Sequence, residues 1–192
     1  MNVLKKNIIL IVLLAPAMLI QAQDITVRSD EKLNNENVDN YNTYYWASQI
    51  DQTLDPGYYF LNDLVLKATI RDAVKGELEG RGYKSQVSNP DLIVNFRVFD
   101  QPVTIKGYEG YGTSYWGDME FRTADDTTSY DLEAGTLIIS LVDRAAGEIV
   151  WQGFASGLIN DNAFIKDEGK IREAVNLIFD QYAHRATEYS KR

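Results

Sequence analysis

Cysteine is absent from the 192 residues. That excludes a disulfide framework, a thiol nucleophile and a thiolate metal site, and it leaves no cysteine to carry a lipid. Histidine occurs once, as His184. No Ser–His–acid arrangement can be built around it, and its place near the end of a helical stripe suits a surface imidazole at a helix C-terminus. Basic residues are few: 19 Lys and Arg stand against 28 Asp and Glu, for a formal charge of −9. A chain this acidic has no electrostatic footprint for nucleic acid and is repelled by anionic lipid. Long apolar runs are also lacking, with one exception at the N-terminus.

That exception runs from Ile8 to Ile20, broken only by Pro16. Lys5 and Lys6 precede it, and Gln21-Ala22-Gln23 ends it. A positive start, a short apolar middle and a small residue at the end are the layout of a secretory signal, and the run is short for a membrane span. The expected leader is residues 1–22, cleaved after Ala22. Its loss takes the formal charge from −9 to −11, because Lys5 and Lys6 leave with it. What remains is long enough for one domain with a substantial core. The expected organisation is a polar segment over 23–40, a single domain over 41–187 and a frayed tail over 188–192. The mature chain is expected to carry no transmembrane span and to reside in the periplasm or at the outer membrane.

Local patterns give the elements. Ile25 and Val27 alternate with polar residues, as in an edge strand. Tyr41 to Trp46 is rich in aromatics with a β-branched Thr43, which favours a strand. Tyr44 and Trp46 share one face and Tyr45 takes the other. Asn62 or Asp63 can cap a helix over about Asp63 to Glu79, whose stripe is Leu66, Ile70, Ala73, Val74 and Leu78. Gly80 and Gly82 end it. Leu92 to Phe99 is a strand apolar on both sides near its start, so it is expected mid-sheet. Thr136–Val142 and Glu148–Ser156 form a hairpin across a turn at Asp143–Gly147. A second helix is expected from about Glu168 to His184, on the stripe Ile171, Ala174, Val175, Ile178, Phe179 and Tyr182. This order predicts an α+β two-layer sandwich: a twisted mixed or antiparallel sheet of four to five strands, with two amphipathic helices on one face.

Chemistry is harder to find. Asp125-Asp126 with Asp131, and Asn160-Asp161-Asn162 with Asp167-Glu168, do not match a twelve-residue calcium loop and read as solvated acids. Gly76, Gly80 and Gly82 are wrongly spaced for a dinucleotide fingerprint. No pair among the 28 acids is singled out for glycoside hydrolysis. No metal, no cofactor and no catalytic residues are expected. Trp46 and Trp151 read as core or sheet-face aromatics, and Asp91 and Asp143 as turn residues that satisfy backbone donors.

One stretch stands apart. From about Lys106 to Leu132 no period is sustained, and long irregular stretches of this kind are functional or disordered. Within it, Lys106 to Asp118 sets Tyr108, Tyr111, Tyr115 and Trp116 among glycines. Aromatics on an adaptable backbone supply contact area, as in recognition loops. These four rings are the candidate contacts to an envelope protein, a glycan or peptidoglycan. The alternatives are a long hairpin whose rings fold back on the sheet and a mobile segment of no special role.

The chain resembles a known family. Tyr41-Asn42-Thr43-Tyr44-Tyr45-Trp46 is similar to that family's Y-x-T-Y-x-W strand. Leu78-Glu79-Gly80-Arg81-Gly82-Tyr83 and then Pro90-Asp91-Leu92-Ile93-Val94 resemble its L-x-x-x-G-Y…P-D-L-x-V stretch. Gly135 to Asp143 with Glu148 to Ala155 resembles its G-x-L-x-I-x-L-x-D…L-V-W-x-G-x-A hairpin. On these residues the chain is identified as a member of the DUF4136 domain family of bacterial envelope proteins. The resemblance implies a small α+β envelope protein and no established reaction. Many members carry a lipid-bearing cysteine that this chain lacks, which implies a free periplasmic form. The expected role is an exported, non-catalytic binding or assembly module. The alternative is an envelope hydrolase using carboxylates that the sequence does not identify. A hydrolase should show a concave pocket with convergent carboxylates. A binding module should show an aromatic patch without them.

Overall fold

The computed structural model describes residues 24–31, 41–47, 63–106 and 129–187. The expected leader, most of the polar segment, Tyr108, Tyr111, Tyr115, Trp116 and the tail lie outside the described residues.

Leu92–Phe99 forms a strand in which all eight residues are buried. A strand covered on both faces belongs inside a sheet. In chain order the elements are β1 (Thr26–Glu31), β2 (Thr43–Trp46), α1 (Leu64–Gly80), β3 (Lys84–Ser85), β4 (Leu92–Phe99), β5 (Val103–Lys106), β6 (Ser129–Leu132), β7 (Thr136–Asp143), β8 (Glu148–Ser156), β9 (Ile159–Asn160), β10 (Ala163–Phe164) and α2 (Glu168–Asp180). The main sheet has the order β1-β8-β7-β4-β2-β3. The β1–β8, β8–β7 and β7–β4 pairs are antiparallel, while β2 is parallel to β4 and to β3. The fold is α+β, as expected, with one strand more than the four to five foreseen. The extra strand is β3. Its two residues carry no pattern of their own, and backbone bonds place them: Lys84 N donates to Asn42 O and Gln86 N to Tyr44 O.

Both helices pack on one face. The Asp63 carboxylate caps α1 by accepting from Val65 N and Leu66 N, and Asp167 caps α2 by accepting from Lys170 N. The stripes Leu66, Ile70, Val74, Leu78 and Ile171, Ala174, Ile178, Phe179 join one cluster with Leu92, Val94, Leu137, Ile139 and Trp151 from the sheet. Gly82, at φ 88°, lets the chain leave α1 in a left-handed conformation.

The β7–β8 hairpin carries a bulge. Leu141 faces Trp151 and Val142 faces Ile149, which leaves Val150 extra. Beyond it, Trp151, Gly153 and Ala155 share the helix side. Gly153 lies where α2 crosses the sheet with little space between them. A Cβ there would lie 2.4 Å from Ile178 Cγ2 and 2.5 Å from Trp151 Cη2, so the crossing has no room for a side chain.

The last helix stops at Asp180 rather than near His184. Arg81 Nη2 takes the Phe179 carbonyl at 2.6 Å, and Ala186 N donates to Arg81 O at 3.0 Å, so the chain is drawn past the end of α1. Tyr182 leaves the helix and stays in the core. Its ring lies 4.9 Å from that of Trp151, and its hydroxyl is 2.8 Å from that of Tyr83. Burial, with Tyr83 beside it, pushes the Tyr182 hydroxyl well above the ordinary tyrosine range.

The opposite face is also covered. Phe99, Ile138 and Phe154 pack beneath Ile105, Tyr130 and Leu132 of the small β5–β6 sheet. The irregular stretch expected up to Leu132 therefore ends earlier, at β6. In that strand Tyr130 and Leu132 are buried and Ser129 and Asp131 exposed, a two-residue period too short to stand out. Beside this cluster, Asn95, Ser140 and Gln152 lie side by side across β4, β7 and β8. All three are buried, and Gln152 Nε2 donates to Ser140 Oγ at 2.9 Å.

Candidate functional site

Asn89-Pro90-Asp91 turns the chain into β4, with Asn89 at φ 49°, a left-handed conformation that Asn tolerates. The Asp91 carboxylate then reaches back to the start of β2. Its Oδ2 accepts from Asn42 N at 2.8 Å, Thr43 N at 2.9 Å and Thr43 Oγ1 at 2.8 Å. Thr43 Oγ1 in turn accepts from Asp91 N. Asp143 does the same for the β7–β8 turn, where its Oδ1 accepts from Ala145 N and Ala146 N. Its Oδ2 accepts a 2.6 Å bond from the Tyr41 hydroxyl. Burial first, and the Asp143 carboxylate next, push the Tyr41 hydroxyl well above the usual tyrosine range. The two turns meet where Arg144 N donates to Asp91 O at 3.0 Å.

Between them lies a cleft of about 350 Å³, lined by Tyr41, Asn89, Pro90, Asp91, Asp143, Arg144 and Ala145. Asp91 and Asp143 are turn residues serving backbone donors, as their sequence context implies. What the sequence does not show is that they share a cleft. The bonds that join the two turns to β2 span 49 and 102 residues, and no local pattern encodes them. Chemically, Asp143 has both oxygens engaged and Asp91 has one. That leaves the Asp91 Oδ1 atom and the Arg144 guanidinium as the uncommitted charged groups of the cleft, among the described residues.

Tyr108, Tyr111, Tyr115 and Trp116 cannot be placed, since they lie outside the described residues. The two ends of their segment can. Lys106 and Ser129 face each other across the antiparallel β5–β6 pair, so residues 107–128 leave and return at adjacent positions. The pair is tied to the sheet from several sides. The Tyr130 ring stacks on Phe154 at 5.5 Å, and the Arg28 guanidinium lies 4.5 Å from the Phe154 ring centre and 5.9 Å from that of Tyr130. The Tyr130 hydroxyl donates to Asp30 on the edge strand β1.

His184 lies past the helix, not within it, with Nε2 2.6 Å from Glu31 Oε1. Asp161 and Asn162, at φ 49° and 61°, form the tight two-residue turn between β9 and β10, the conformation such hairpins require. Among the described residues no group of three or more His, Asp or Glu is gathered as a metal site, and no helix is long and apolar enough to cross a membrane.

No curated protein matches the chain. Among solved structures, a DUF4136 family protein from Bacteroides thetaiotaomicron VPI-5482 is 20% identical with a TM-score of 0.56, over 85% of this chain and 98% of that one. A PDZ domain protein from Parabacteroides distasonis ATCC 8503 is 16% identical with a TM-score of 0.47, over 83% of this chain and 36% of that one. The PelC dodecamer from Paraburkholderia phytofirmans is 11% identical with a TM-score of 0.40, over 84% and 99% of the two chains. The first likeness shows a shared fold, and the other two are too distant to bear on this chain. The family model described as a domain of unknown function, DUF4136, matches residues 27–182, from β1 through Tyr182 in the helix-facing core, and the chain belongs to that family.

Proposed function

We propose that the chain is an exported, non-catalytic protein of the bacterial cell envelope, which uses the aromatic, glycine-rich segment after β5 to contact a partner. The carrying observation is the mounting of that segment. Its ends are held side by side at Lys106 and Ser129, on a strand pair fixed to the sheet by Phe99, Ile138 and Phe154. Segments mounted on a rigid scaffold are common carriers of recognition. Tyr108, Tyr111, Tyr115 and Trp116 would supply the contact area, to an envelope protein, a glycan or peptidoglycan. The N-terminal pattern of Lys5, Lys6 and Ile8 to Ile20 supports export.

The hydrolase reading needs two convergent carboxylates that are free to work, one as acid and one as base or nucleophile. Asp91 and Asp143 do converge on a cleft. Three of their four oxygens are taken by backbone, Thr43 and Tyr41 donors, which favours a structural role for both.

A second reading of the segment has one observation in its favour. Ile93 and Val142 are buried on the side away from the helices, outside the cluster formed by β5 and β6. On that reading the four rings are part of the core.

One experiment separates the two. Residues 23–192, as wild type and with Tyr108, Tyr111, Tyr115 and Trp116 all changed to Ser, are sedimented with outer-membrane fragments and with peptidoglycan. The contact reading expects the wild type to pellet and the variant to stay in solution with unchanged thermal stability. If the variant unfolds at a much lower temperature, the rings are core. If neither protein pellets, the contact reading loses its support.

A further inference from the structure

We infer that the cleft between the Asp91 and Asp143 turns is a binding site for a small zwitterion, an amino acid or short peptide with free ammonium and carboxylate groups. Nothing in the proposed loop contact requires it, and it stands on different residues.

The inference rests on what the cleft leaves unused. Of its charged groups, Asp143 is committed to the Ala145 and Ala146 amides and to Tyr41. The Oδ2 atom of Asp91 is committed to three donors at the start of β2. Asp91 Oδ1 accepts nothing among the described residues, and Arg144 makes no side-chain hydrogen bond or ion pair among them. These two opposite charges sit on turns joined by the bond from Arg144 N to Asp91 O, line one cleft, and make no ion pair with each other. Charge-assisted bonds are stronger than neutral ones, so each of these groups gains from a partner of opposite charge. Here a ligand carrying both charges can take each one: its carboxylate on the Arg144 fork, its ammonium on Asp91 Oδ1.

The frame around them is fixed. Backbone and Thr43 bonds hold Asp91, and Tyr41 is buried beside the cleft, so the Arg144 side chain is the main group left to order on binding. A volume of about 350 Å³ suits one or two amino-acid residues and falls at the small end of ligand sites. Ligands of this size bind weakly, with Kd on the order of 1 mM.

The probe is alanylalanine, titrated into isotope-labelled protein while the backbone amide signals of Asp91, Arg144 and Ala145 are followed. The expected result is a saturable shift at these amides. Acetylating the amine or amidating the carboxylate should each weaken binding about tenfold, the effect of losing one charge-assisted bond. Arg144→Gln keeps the backbone bond to Asp91 and should lose the preference for a free carboxylate while keeping the preference for a free amine. The inference is overturned if no saturable shift occurs up to tens of millimolar, or if capped and free peptides bind alike. It is equally overturned if Arg144→Gln, with a folded spectrum, binds all forms as the wild type does. Should Arg144→Gln not fold, the comparison of free and capped peptides on the wild type decides alone.

Discussion

Replacing Trp151 with alanine is expected to lower stability by about 4 kcal/mol, the middle of the range for emptying a large aromatic site. Trp151 has no exposed surface. Its ring lies 5.6 Å from that of Phe179 and 4.9 Å from that of Tyr182, and the Cβ position of Gly153 is pressed against its far edge. The residue thus joins β8, α2 and the segment after α2, and truncation removes the contact shared by all three. Collapse around the gap is hindered, because Tyr182 is held by the Tyr83 hydroxyl and Phe179 by its carbonyl bond to Arg81. Trp151→Phe should cost less than half as much. It keeps a ring against Phe179 and Tyr182, and it removes an indole N–H that is buried without a hydrogen-bond partner among the described residues. Urea unfolding with an unchanged m value reads both. In a chain of this size the alanine variant should melt roughly 10 °C lower. A loss below about 1.5 kcal/mol for Trp151→Ala would show that the ring does not join the layers.

Asp91→Ala is expected to cost about 3 kcal/mol. One carboxylate oxygen accepts from two backbone amides and one hydroxyl at the start of β2, and bonds to a charged acceptor are worth more than neutral ones. All three donors are partly buried, so water replaces the carboxylate incompletely. The loss also loosens β2, whose three parallel pairings with β4 begin one residue later, at Tyr44. Asp91→Asn should recover about half of the loss, since the amide keeps an acceptor oxygen without the charge. Thr43→Ala in the Asp91→Ala background should then cost clearly less than in the wild type. The coupling between the two positions is expected at about 1 kcal/mol by double-mutant cycle. Strict additivity would mean that the two side chains do not act as one unit.

Much of this architecture was legible because it is local. The stripes of α1 and α2, the all-apolar run of β4 and the β7–β8 hairpin each follow from spacing within one segment. The two-residue β3 was not legible, since Lys84 and Ser85 are strand only through the carbonyls of Asn42 and Tyr44. Nor was the end of α2. Tyr182 fits the helical stripe and is buried as the stripe implies, yet it lies outside the helix, because Arg81 and Ala186 redirect the chain. The cleft was the least legible feature. Asp91 and Asp143 read correctly as turn residues one at a time. Their meeting depends on β4 and β7 lying side by side, with Leu92 opposite Asp143, and no short window of sequence contains that register.

The most direct test of the contact reading is to excise the segment and keep its mount. Lys106 and Ser129 already face each other, so an Asn-Gly turn can replace residues 107–128. If the segment is a contact surface carried by an independent scaffold, the shortened protein keeps its unfolding free energy to within about 0.5 kcal/mol and no longer sediments with the envelope fraction that the wild type binds. A loss of several kcal/mol would place the segment in the core instead, and sedimentation undiminished by the excision would move the contact to another surface.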